Sequence, residues 1–209
     1  MKFVPNIPRN MQNSVRHKEG ITVYEEFSAP DPLCIRLSGR GGQGIILGGV
    51  IIAQAAMYDG LFVVHTQSYG PEARLGSSKS EVVVSRFEIA FPEVIHADVF
   101  LCLSSEAYLK YHKAISPRAV SVIDDLIVAE DGFPSEIFLP LRRTARNLDN
   151  EMTANIVGIG ALTGLAHIAQ PVSVEKAIRE WVKPEFRDVN LRALEAGLNL
   201  VPHSAMTSG

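Results

Sequence analysis

Residues 34–57 read CIRLSGRGGQGIILGGVIIAQAAM. Cys34 to Leu37 is a short run of buried-strand character, Ser38 to Gly44 is turn chemistry, and Ile45 to Met57 is apolar nearly all round over a helical length. A strand, a glycine turn and a helix make half of a βαβ unit. Asp59-Gly60 closes the helix, and Leu61 to Thr66 supplies a second β-rich run, so the spacing predicts a parallel crossover and an α/β fold.

Outward from this unit, further strands are expected at Ser80 to Ser85, Asp98 to Leu103, Val120 to Ile123 and Ile137 to Leu139, with a helix from about Ser105 to Lys113. The last third shows helical spacing at Asn155 to Ala169, Ser173 to Val182 and Val189 to Val201, with caps expected at Ser173 and Asp188. Gly158, Gly160, Ala161 and Gly164 would let the first of these helices approach a neighbour closely. The expected architecture is a Rossmann-like open, largely parallel sheet flanked by helices, with the C-terminal helices packed on it. Residues 1–32 carry Pro5, Pro8, Pro30 and Pro32 among polar residues and read as an N-terminal arm, leaving 33–209 as one domain.

Composition narrows the function classes. A chain of 209 residues that is 46% hydrophobic and 21% charged has room for one ordinary core, and its formal charge of −3 offers no basic field for nucleic acid or anionic lipid. The longest apolar run, Ile45 to Met57, is shorter than the ~20 residues of a membrane span and is broken by Gly48, Gly49 and Gln54. No secretion signal is read at the N-terminus, so the expected location is the cytoplasm. The two cysteines, Cys34 and Cys102, have no Cys or His companions at ligand spacing, so neither zinc nor an iron–sulfur cluster is expected on this chain.

Two loops are candidates for chemistry. Gly39, Gly41 and Gly44 match the spacing of dinucleotide-binding turns, in which backbone N–H groups at a helix start approach a phosphate. An NAD site also needs an acidic residue at the end of the second strand, where this chain has His65-Thr66-Gln67-Ser68, and Asp59 lies in the entry turn at the wrong end. Gly39, Arg40, Gly41, Gly42, Gln43 and Gly44 are therefore candidate binding residues for a phosphate or carboxylate, with Gln43 able to offer its amide. The alternative is that these glycines only tighten the turn. The second loop, Gln67 to Lys79, leaves the same end of the sheet, where open α/β proteins bind ligands, and makes Tyr69, Glu72, Arg74 and Lys79 candidates to face one. A Glu72–Arg74 surface pair with Tyr69 packed on Pro71 is the structural alternative. His65 fits a satisfied half-buried side chain better than a base, and Asp124-Asp125 fits a strand terminus better than a cation site, because neighbouring strand residues point to opposite faces.

Taken together, Gly39-Arg40-Gly41-Gly42-Gln43-Gly44, Thr66-Gln67-Ser68-Tyr69-Gly70-Pro71-Glu72-Ala73-Arg74 and Ser80-Glu81-Val82-Val83-Val84-Ser85 closely resemble the gamma subunits of 2-oxoacid:ferredoxin oxidoreductases. The resemblance runs from about Ile35 to Gly197, includes Asn155-Ile156-Val157-Gly158 and Asn190-Leu191, and is nearest the 2-oxoglutarate branch. It implies a subunit without catalysis of its own, working with thiamine-binding and ferredoxin-like subunits that carry thiamine diphosphate, Mg and iron–sulfur clusters. Ferredoxin would take the electrons and coenzyme A the acyl group. The glycine turn and the Tyr69, Glu72 and Arg74 loop would then face coenzyme A or substrate. Two departures stand out: Arg74-Leu75-Gly76 where the family commonly has Arg-Gly-Gly, and Arg40 where a small or apolar residue is usual. Rival expectations are an indolepyruvate oxidoreductase small subunit, a stand-alone nucleotide-binding protein, and a regulatory binding module.

Overall fold

The computed structural model describes residues 30–68, 77–128 and 136–201. Six strands, β1 (Leu33–Arg40), β2 (Phe62–Ser68), β3 (Ser77–Ser85), β4 (Ala97–Cys102), β5 (Ile115–Asp124) and β6 (Glu136–Leu139), form one sheet in the order β2-β3-β1-β4-β5-β6. Six α-helices accompany them: α1 (Ile45–Tyr58), α2 (Ser105–Tyr111), α3 (Leu141–Asn147), α4 (Ala154–Ala166), α5 (Pro171–Trp181) and α6 (Arg187–Asn199). The α/β expectation holds, with one correction to the strand order. β1, β2, β4, β5 and β6 run in one direction, so the crossover through α1 is parallel as expected, but β3 runs antiparallel between β1 and β2 and the two strands joined by α1 are not neighbours. The chain after β2 doubles back as a hairpin, pairing Ser68 with Lys79, before β3 returns along β1 with Ser77 opposite Arg40.

Strand alternation divides the core in two. Leu33, Ile35 and Leu37 of β1 join Val82, Val84, Val99, Leu101 and Val122 beneath α1 and α3 to α6, whereas Phe100, Cys102, Val83 and Ile123 face Ala107 and Tyr108 of α2. α1 is apolar around most of its surface because it lies between the sheet and α5. α4 is buried along nearly its whole length between α6 and the sheet. Its small residues permit the expected close approach: a Cβ at Gly158 would stand 2.6 Å from Leu101 Cδ1, and one at Gly160 would stand 3.0 Å from the Gly197 Cα of α6.

Other boundaries move for local reasons. β5 begins at Ile115, five residues before the expected strand, because Ile115 pairs with Ala97 ahead of an irregularity that contains Pro117, a residue with no N–H for the ladder. α3 was not expected; it follows Pro140 and is held by Asp124, which accepts from the Arg142 backbone N–H and Nε, both at 2.8 Å. α4 stops at Ala166, where His167 adopts a left-handed conformation. Ser173 is not a cap, since α5 already starts at Pro171 and the Ser173 hydroxyl donates to Asp59 at 2.5 Å. Asp188 likewise lies in the first turn of α6, beside the helix dipole's positive end rather than at the cap. No helix among the described residues is long and apolar enough to cross a membrane.

Candidate functional site

β1 and β4 are adjacent and parallel, yet the helices that follow them lie on opposite faces of the sheet. This is the condition that opens a crevice outside the carboxyl ends of the strands in open α/β folds. One wall is the turn from β1 into α1, residues 40–44; the other is the link Leu103-Ser104 from β4 into α2.

The turn is shaped almost entirely from within. Gln43 N–H donates to Arg40 O at 3.1 Å, Gln43 Oε1 accepts from Arg40 N–H at 2.6 Å, and Gln43 Nε2 donates to Leu103 O at 3.1 Å. The Gln43 amide thus fastens the two walls together instead of reaching outward. Beneath it Leu103 N–H donates to Ser38 O at 3.0 Å. On the far side Asn155 Nδ2, at the start of α4, donates to Gly44 O at 2.9 Å. Asn155 is one of the few buried polar residues in an apolar helix, and that contrast is the sequence signal by which its anchoring role is recognisable.

The four glycines have different reasons for being glycine. At Gly39 a Cβ would stand 2.7 Å from Gln43 Oε1 and 2.8 Å from Ile45 Cδ1, so packing excludes it. Gly44 has φ 68° and a Cβ there would lie 2.5 Å from Asn155 Nδ2. Gly42 has φ 90° in open space. Gly41 has neither constraint: its φ is not positive, and nothing lies within 4 Å of where a Cβ would stand. Both Gly41 and Gly42 are exposed at the mouth of the crevice. α1 begins here with no side-chain cap and no acidic residue in its first turn, so the positive end of the helix dipole is not offset by a side chain of that turn. Such an arrangement suits an anion.

Arg40 spans the crevice at its rim, where its guanidinium meets Glu106 of α2 at 2.5 Å. Glu106 was not anticipated from sequence; 66 residues separate it from Arg40, and no local pattern marks it. The flanks of the second loop reach the same rim, because Ser77 pairs with Arg40. Tyr69, Glu72 and Arg74 themselves lie outside the described residues. Lys79 is on β3 and bonds Glu81 at 2.8 Å, and Glu81 in turn accepts from the buried Arg36 at 2.7 Å, so Lys79 belongs to a strand network.

The remaining polar candidates are structural. His65 is half-buried on β2 with Nε2 2.7 Å from Ser80 Oγ, and burial pushes its imidazole below the ordinary value. Asp59 sits at the far end of α1 and accepts from Gln170 N–H at 2.7 Å, tying α1 to the start of α5. Asp124 ends β5 and Asp125 pairs with Arg143, so this carboxylate pair is matched by guanidinium groups. Burial raises the Cys34 thiol and pushes Cys102 up to about 11.

The family model for pyruvate ferredoxin/flavodoxin oxidoreductase matches residues 34–200. The 2-oxoglutarate synthase subunit KorC of Methanocaldococcus jannaschii is 47% identical over 169 residues, covering 78% of this chain and 90% of the relative. Among solved structures, the gamma subunit of a keto/oxoacid ferredoxin oxidoreductase from Geobacter sulfurreducens superposes with a TM-score of 0.73 at 35% identity, over 82% of this chain and 97% of that one. The 2-oxoglutarate:ferredoxin oxidoreductase from Magnetococcus marinus, solved with 2-oxoglutarate, coenzyme A and succinyl-CoA bound, gives a TM-score of 0.74 at 27% identity over 82% of this chain and 31% of that one.

Proposed function

Because the chain belongs to the pyruvate ferredoxin/flavodoxin oxidoreductase family, we propose that it is the gamma-type subunit of a 2-oxoglutarate:ferredoxin oxidoreductase. The observation that carries this is the 47% identity to a 2-oxoglutarate synthase subunit across 90% of that subunit's length. The match supports 2-oxoglutarate over an indolepyruvate as the substrate of the assembled complex. The complex would oxidatively decarboxylate 2-oxoglutarate to succinyl-CoA, pass the electrons to ferredoxin, and carry thiamine diphosphate, Mg and iron–sulfur clusters on partner subunits. Residues here agree with partner-borne cofactors: a four-iron cluster takes four thiolates, and this chain has two cysteines, one fully buried and high in pKa.

In this assembly the crevice between β1 and β4 faces an anionic group of coenzyme A or 2-oxoglutarate. Gly41, Gly42 and the start of α1 offer backbone N–H groups, Gln43 and Gly39 keep the turn in shape, and Arg40 supplies charge. Tyr69, Glu72 and Arg74 lie in sequence between Ser68 and Ser77, and an arginine fork suits a carboxylate or phosphate.

Co-purification tests the proposal. A tagged copy of this chain is expected to bring down thiamine-binding and ferredoxin-like chains, and the isolate to reduce ferredoxin only with both 2-oxoglutarate and coenzyme A. The chain alone is expected to be colourless and inactive. A coloured, active chain without partners, or an assembly that prefers indolepyruvate, refutes the assignment.

A further inference from the structure

We propose that Arg40 and Glu106 form an anion-displaced latch across the crevice, in which Glu106 sets how tightly the anionic group of the substrate is held. This rests on the reading that the crevice faces an anionic substrate in the assembled complex, and adds to it the residue that tunes the affinity.

The crevice is bridged twice. The inner bridge, Gln43 Nε2 to Leu103 O, is neutral, partly buried and independent of any charge. The outer bridge is the Arg40–Glu106 pair, whose side chains are each 52% exposed. A pair so exposed adds little to stability and its partners exchange readily, whereas the inner bridge keeps the walls together when the outer one opens. The two bridges therefore divide the work: one holds the shape, and the other is free to open.

Charge gives the outer bridge its direction. A guanidinium carries five N–H donors, and only one nitrogen, Nη2, bonds Glu106. Arg40 is the residue before Gly41 and Gly42, so an anion seated on that exposed backbone is within reach of the same side chain. The carboxylate of Glu106 competes with the anion for Arg40, and once Arg40 has turned away it stands as a negative charge at the mouth. The Glu106 carboxyl lies below the ordinary glutamate range, held there by its own backbone N–H and next by the Arg40 guanidinium, so the competitor is charged at neutral pH. An anion that offers two oxygens displaces it, and a neutral ligand gains nothing from opening the latch.

Steady-state kinetics of the assembled complex carrying E106Q, R40Q or both, at low salt, decide the matter. Coenzyme A and 2-oxoglutarate are varied separately, so that the one whose KM moves identifies the anion as phosphate-bearing or as a carboxylate. E106Q is expected to lower that KM by about two- to fivefold, R40Q to raise it by about tenfold or more, and the double variant to fall between them. Opposite signs are the mark of competition. If both single variants raise the KM, the pair is a brace for the turn and the latch is overturned, while the crevice remains the substrate-facing site. If no variant moves either KM, the crevice lies off the substrate path, and the latch and the reading beneath it both fail.

Discussion

Replacing Gly41 by alanine separates what the chain needs for itself from what it presents to others. Nothing lies within 4 Å of the new Cβ, and the backbone there is not left-handed. Such a Gly→Ala change stabilises a fold by about 0.4–1 kcal/mol, chiefly by reducing the freedom of the unfolded chain. For a protein of this size that is a rise in Tm of about 1–4 °C. If a substrate anion seats on the Gly41 and Gly42 backbone, the same methyl group intrudes on it. Overpacking of this kind costs about 1–3 kcal/mol, which is a rise in KM of about fivefold or more for coenzyme A or 2-oxoglutarate. Gly42→Ala is the contrast: at φ 90° any side chain is strained, so stability falls by about 1–2 kcal/mol and a kinetic loss there is confounded. Thermal denaturation of the subunit and kinetics of the assembled complex are measured on the same preparations. Gly41→Ala is expected to be more stable and less active. A rise in Tm with unchanged kinetics means that nothing approaches the turn, and refutes the substrate-facing assignment.

Three further outcomes are expected. Asp59→Ala leaves the Gln170 N–H and the Ser173 hydroxyl without their acceptor, costing about 1–3 kcal/mol in urea denaturation, with KM unchanged because Asp59 lies at the far end of α1. Burial holds His65 below its ordinary 6.5, so the neutral ring favours the folded state. That contribution is complete above pH 6.5, is lost as the pH falls through the lower folded value, and is expected to vanish from the pH–stability curve of His65→Gln. Arg74→Ala is expected to leave Tm within about 1 kcal/mol equivalent of the parent while weakening coenzyme A or 2-oxoglutarate use by about 1.5–3 kcal/mol; lowered Tm with unchanged kinetics makes Arg74 structural.

Local chemistry was legible in the sequence and pairing across the sheet was not. The strand, glycine turn and helix of residues 34–58 could be read because glycine spacing and apolar runs are local signals. The antiparallel insertion of β3 was hidden, since its valines suit a strand in either direction and only its partners decide the direction. α3 is only seven residues long, too short a run to show a helical period, and it is fixed through Asp124, which lies 18 residues earlier than Arg142. At the site, the glycine turn was found, but the inward use of Gln43 depends on Leu103, 60 residues away. Glu106 and Asn155 depend on partners still more distant, at 66 and 111 residues. Tyr69, Glu72 and Arg74 are supported by the family resemblance and lie outside the described residues.

The Asn155–Gly44 hydrogen bond also dates the site within the life of the chain. Closing a contact across 111 residues waits on the assembly of nearly everything between. During synthesis the glycines emerge early, with β1 and α1, ahead of the two strands that pair with β1. The carbonyl of Gly44 gains its anchor only after α4 has been made and docked. A nascent or truncated chain ending before residue 155 therefore carries the motif without the finished turn.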